Sequence, residues 1–291
     1  AITDALAEGG PTGAALAEGG LYAALAAHLR AELAAVAEDT PDKYAAWDEA
    51  YCVWTGGLSQ LAERIDFNPV LGGFPIYSIE NFFLSGHQAI AGEPPTTTID
   101  EWIGPESIQQ IEKTLLRAVH HDIVVHADPA FLAIDPVAAA RARGLLALVR
   151  DQLEGRNTPG LAAIEAMLMG DPSLLEPEFV HFELDIAFAK HARDAIDRTS
   201  EAGFGSPASH AHALAGRGYA EIIAPGMVRD SPKFDTTPYQ VDWDRYIALT
   251  RAGDDNAAAL ATAQRLIDVT CAYQTALGVA ACTGTADEPQ P

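Results

Sequence analysis

Between residues 12 and 38, Leu21, Leu25, Leu29 and Leu33 recur every four positions, and Val36 follows three later. Side chains at that spacing share one face of an α-helix, whereas a strand would send alternate residues to opposite faces. The period returns along the chain. Segment 106–127 carries Ile108, Ile111, Leu115 and Val119 on one stripe, segment 177–199 aligns Phe179, Phe182, Ile186 and Ala189, and segment 255–281 stacks Leu266, Val269, Tyr273 and Leu277. Segment 43–65 opens after Pro41-Asp42 and has Gly56-Gly57 placed to bend it; segment 136–154 starts on a proline suited to a first helical turn. Thr158 and Pro159 are expected to open a shorter helix that Gly170 closes. Only "DIVVH" is β-like in composition, and it continues a helical stripe.

The fold class expected is all-α: antiparallel helical bundles, two of four-helix type packed together, 1–135 and 136–291, with a seam near 130–136. One continuous domain is the alternative. Longer connections rich in Pro, Gly, Ser and Thr are expected at 67–78, 91–105, 200–209 and 224–243, and "TADEPQP" reads as a frayed tail.

The chain has 291 residues, enough to bury a real core, and 48% of them are hydrophobic, which excludes a disordered protein. Lys and Arg total 18 against 41 Asp and Glu, a formal charge of −23. That field repels phosphate backbones and anionic headgroups, so neither nucleic acid nor a membrane surface is an expected partner, while cations are attracted. No run approaches the roughly 20 apolar residues that span a bilayer. The chain begins at Ala1, without a basic stretch and apolar core ahead of it, which fits a leader already removed and equally a trimmed chain. The expected location is periplasmic or extracellular. Cys52, Cys271 and Cys282 lack C-x-x-C spacing. Cys271 and Cys282 lie too far apart to bond along one continuous helix, so Cys52–Cys282 is the pairing expected of any disulfide, with Cys271 buried as a small hydrophobe.

Several carboxylates and histidines sit where they have two readings. Glu165 interrupts the apolar run of "TPGLAAIEAMLMGD": it faces water from the edge of an amphipathic helix, or it is held inward, where it needs a proton or a cation. In "HHDIVVHAD", Asp122 and His126 are four apart and project from one helix face, a carboxylate–imidazole pair suited to Zn, Fe or Cu. His120 and His121 are expected at a helix C-terminus, where they meet the dipole favourably. In "EPEFVH", Glu178 and His181 form an E-x-x-H pair, with Asp185 one turn further on. That pair is half of a di-iron carboxylate site, and the absence of a second E-x-x-H argues against a complete one. The opposite reading is a polar helix face across from Phe179 and Phe182. His210 and His212, two apart, share a face only in an extended segment, and His87 follows a glycine in a turn-like context. There is no G-x-S-x-G, H-E-x-x-H or P-loop, and no serine has a recognisable base beside it.

"GLAAIEAMLMG" resembles the signature of the imelysin-like family of bacterial extracytoplasmic helical proteins, which reads roughly G-x-H-x-x-E with an L-x-G ending. Gly160, Ile164, Glu165, Leu168 and Gly170 match in register, and Ala162 stands where the family has histidine. "WDEAYCVW" at 47–54 is similar to Trp- and acid-containing helices of related bundles, and "IYSIENFFLSG" echoes the motif around Glu80, with Tyr77 in the histidine's place. The resemblance implies paired helical bundles, export, and a role in acquiring iron or another metal. Some members are classed as peptidases. Only Glu165 carries over residue by residue. With histidine absent at Ala162, compensating ligands would come from His126, Asp122 or His181.

The leading expectation is therefore an exported, non-enzymatic protein that binds Fe, Cu or Zn through Glu165, Asp122, His126, Glu178 and His181. The rival is a structural or interaction protein of the cell surface or an extracellular assembly, with a protein partner and no metal. A hydrolase using His126 or His181 to activate water is the third reading.

Overall fold

The computed structural model describes residues 7, 9–37, 42–61, 79–91, 102–230, 234–279 and 282. The 67–78 connection, Tyr77, most of the 91–105 connection and the C-terminal "TADEPQP" lie outside the described residues. Among those described, ten α-helices and no strands form an all-α bundle fold. In chain order they are α1 (Gly10–Ala37), α2 (Lys43–Val53), α3 (Ile79–Ala91), α4 (Ile103–Leu132), α5 (Pro136–Glu154), α6 (Thr158–Met169), α7 (Pro177–Glu201), α8 (Pro207–Asp230), α9 (Thr236–Ala252) and α10 (Asn256–Ala276).

Local chemistry sets many of the boundaries. Asp135 accepts hydrogen bonds from the Val137 and Ala138 amides and hands the chain to Pro136 at the start of α5. The cap of α6 is Asn157 rather than Thr158. The Asn157 side chain accepts from the Gly160 amide at 3.3 Å, while the Thr158 hydroxyl donates back to the Glu154 carbonyl. Gly56-Gly57, expected to bend the second helix, lies in one π turn, Trp54–Leu58.

The 224–243 stretch is not a long connection. α8 runs through Pro225 to Asp230, and α9 starts at Thr236. An internal proline costs a helix about 3 kcal/mol. Ile222, Ile223 and Met227, all buried around it, offset that by roughly 1.5–3 kcal/mol each. The last helix likewise stops at Ala276 rather than 281, and Gly278 turns the chain with φ of 84°.

The chain forms two compact units. One comprises Ala1–Asn81 with Thr114–Leu184, the other Phe82–Lys113 with Asp185–Pro291. They are interleaved in sequence: α3, α4 and α7 each run from one unit into the other.

In the first unit α1 packs on α2 and α5, and α5 on α6. Gly19 and Gly144 meet where α1 crosses α5: a Cβ on Gly19 would overlap the Gly144 backbone, and one on Gly144 would lie 3.0 Å from Gly19 Cα. Two residues without side chains let the two backbones touch. In the second unit α9 packs on α8 and α10. Trp243, 1% exposed, fills the space that Gly216 leaves open, and its ring meets Tyr239 and Tyr246 edge to face. Gly205 and Gly253, both at positive φ, approach closely, and the Gly205 amide donates to the Thr250 carbonyl at 2.8 Å.

The disulfide joins Cys271 to Cys282, with Cα atoms 5.3 Å apart, and Cys52 is a free, exposed thiol. The expected Cys52–Cys282 pairing assumed a helix continuous to 281; the turn at Gly278 brings Cys282 back beside α10 instead.

Candidate metal centre

The middle stretches of α4 and α7 are buried on every face. Residues 115–120 of α4 and 184–190 of α7 are all buried, so polar side chains there have no wet side to occupy. His120 on α4 is 5% exposed, and on α7 His181 is 4% and Asp185 0% exposed. Asp185 follows His181 by one helical turn and shares its face. The two imidazoles pack edge to face, with ring centroids 5.3 Å apart. His120, His181 and Asp185 present one ligand atom each, all within 4.8 Å of one another. Ligands at about 2.1 Å around a tetrahedral ion stand roughly 3.4 Å apart. An ion entering here would draw the three side chains inward by small rotations.

The carboxylate of the trio is held from behind. The Tyr273 hydroxyl, on α10, is 2.5 Å from Asp185 Oδ2 and 3.1 Å from Asp230 Oδ2. Arg229 grips Asp230 at both oxygens, Nε to Oδ1 at 2.7 Å and Nη2 to Oδ2 at 3.0 Å. Burial, with Asp185 and Asp230 beside it, pushes the Tyr273 phenol far above its ordinary range, so it stays protonated and can only be a hydrogen-bonding group. Hydrogen bonds of this kind behind a metal-ligating carboxylate fix its orientation and tune its basicity. His121, next along α4, is half-buried; desolvation, the largest effect on it, holds its pKa below the usual imidazole value.

Of the five residues expected as metal ligands, His181 alone belongs to this trio. Glu165 on α6 is ion-paired with Arg150 of α5, which also binds Glu154 at 2.8 Å, so its carboxylate meets a guanidinium and not an imidazole. Glu178 is exposed in the first turn of α7, where a carboxylate complements the helix dipole, and so the E-x-x-H pair is split between solvent and core. Asp122 is buried, 3% exposed, but lies two residues from His120, on another side of α4. His126 lines a cavity against α1 and α5. Neither Asp122 nor His126 joins a three-ligand group among the described residues. Ala162 is exposed, so a histidine there would point away from the core.

His120 and Asp185 complete the trio, and neither was among the five expected ligands. His120 was assigned to a helix end because α4 was expected to stop near 127; the helix continues to Leu132 and leaves it mid-span. The signal for Asp185 was its spacing of four from His181.

The other histidines are placed differently. His28 contacts Glu49 through Nε2 at 2.9 Å and Glu32 through Nδ1 at 3.7 Å. His28, Glu32 and Glu49 also bring one ligand atom each to within 4.8 Å of one another, but His28 and Glu49 are exposed, where acidic groups gather commonly without an ion. His210 is 2% exposed, packs edge to face on Trp102, and has no hydrogen bond at either ring nitrogen among the described residues. His212 is held below its ordinary pKa chiefly by burial, and then by Arg198. His87 is exposed.

No helix among the described residues is long and apolar enough to cross a membrane. Comparison with family models, with curated proteins and with solved structures gives no match to this chain.

Proposed function

We propose that this is an exported, non-enzymatic helical protein that binds one transition-metal ion through His120, His181 and Asp185. The observation that carries the reading is the buried trio: two imidazoles and a carboxylate on two helices, with ligand atoms within 4.8 Å. Burying three such groups together is costly unless protons, hydrogen bonds or a cation compensate. Two imidazoles and one carboxylate without a thiolate suit Fe(II), Zn(II) or Cu(II), and with positions left open they are a donor set typical of non-haem Fe(II). The Cys271–Cys282 disulfide supports an oxidising compartment, and the −23 charge favours the approach of cations. The imelysin-like motif around Glu165 supplies no ligand in this reading; its glycine and glutamate are explained by local packing and an ion pair.

The test is elemental analysis of the purified protein, with titration of the chelator-treated protein by Fe(II), Zn(II) and Cu(II). One ion per chain is expected, lost in His181→Ala and Asp185→Asn and retained in Glu165→Ala. If none of the three ions binds at stoichiometric level, or if His181→Ala binds as the parent does, the proposal fails.

A further inference from the structure

A cavity of about 210 Å³ lies beside the Gly19–Gly144 crossing in the first unit, far more space than the roughly 15 Å³ one water needs. Its walls are regular. Ala15, Glu18, Gly19 and Tyr22 follow one face of α1, and Arg141 and Leu145, four apart, follow one face of α5. Leu61 and Leu145, both buried, give it an apolar side, and His126 of α4 adds an imidazole.

The two charges on these walls are opposite and are not joined to each other. Among the described residues Glu18 takes a hydrogen bond from the Tyr22 hydroxyl at 3.2 Å and forms no ion pair, and Arg141 has no carboxylate partner. Both are exposed, at the rim.

We propose that this cavity binds a small zwitterion, an α-amino acid with a short apolar side chain. Its carboxylate docks on the planar fork of Arg141, which suits a bidentate pair. Its ammonium meets Glu18, oriented by Tyr22, and its side chain lies against Leu61 and Leu145. The site shares no ligand with the buried His120–His181–Asp185 trio and does not depend on it.

Calorimetric titration of the full chain with L-alanine, L-leucine and L-methionine tests the proposal, with isoamylamine and 4-methylpentanoate as probes that keep the leucine side chain but lose one charge each. Saturable binding of at least one amino acid is expected. The two singly charged probes, and the Arg141→Gln and Glu18→Gln variants, are expected to bind at least tenfold more weakly. Both substituted side chains are exposed, and circular dichroism of each variant confirms the fold. Absence of saturable binding by all three amino acids overturns the proposal. So does a singly charged probe that binds as well as leucine, or an affinity unchanged in folded Arg141→Gln.

Discussion

A methyl group added at Gly160 would land on Glu183 Oε2 and Asn157 Nδ2, two atoms already bonded to each other at 2.6 Å. Asn157 is 3% exposed and does three things there: it caps α6, donates to the Glu183 carbonyl at 2.9 Å, and donates to the Glu183 carboxylate. The glycine therefore has a packing reason independent of any ligand. Gly160→Ala is expected to lower stability by about 1–3 kcal/mol, because the overlap outweighs the roughly 1 kcal/mol that alanine adds to helix propensity. The midpoint of urea unfolding measures it. An unchanged or higher midpoint would show that Asn157 and Glu183 shift aside at no cost. Glu165 has an equally local explanation in Arg150, and an ion pair on a partly exposed surface is worth at most about 1 kcal/mol. Gly160 and Glu165 are thus accounted for without a metal.

At the scale of elements, α10 and its disulfide carry the next prediction. Closing the loop from Cys271 to Cys282 restricts the unfolded chain by roughly 3 kcal/mol in the chain-entropy model. Cys282→Ala is expected to lose a stability of that order, while Cys52→Ala, at an exposed thiol, should leave the unfolding midpoint in place. A loss in both variants would restore the Cys52–Cys282 pairing. The same elements show how far the sequence could be read. Helix periodicity was plain in α1, where Leu29, Leu33 and Val36 of the stripe are buried, although Leu21 at its start is exposed. It misled where a helix is buried all round. In α7 the alternative reading of the E-x-x-H segment as a polar face put Asp185 in water, and in α4 His120 was expected at a helix end; both are inside. Proline misled as well: Pro225 reads as a break, whereas the burial of Ile222, Ile223 and Met227 around it carries the helix past it. Half of the centre, His181 with Asp185, was legible as an i, i+4 pair. His120 was not, because its partner lies 61 positions on and nothing local specifies that meeting.

For the whole molecule, the net charge of −23 sets how stability responds to salt. Even if all 18 cationic side chains were paired with carboxylates, the anionic excess would remain, and it repels itself across both units. The described ion pairs are mostly partly exposed, such as Arg265–Asp242 and Arg217–Asp244, and each is worth well under what the uncompensated charge costs together. Raising the ionic strength from about 0.01 M to about 0.15 M shortens the screening length from roughly 30 Å to roughly 8 Å. That distance covers a local pair but not the span over which like charges act, so repulsion should fade more than attraction. The melting temperature of the chelator-treated protein is expected to rise by a few degrees with NaCl over this range. Sucrose at matched osmolality serves as the control for general solvent exclusion. A melting temperature that falls with NaCl would mean that the pairs dominate after all. The same titration separates two kinds of cation binding. Ions gathered by the acidic surface should be displaced by salt, whereas one held by His120, His181 and Asp185, buried and weakly screened, should stay.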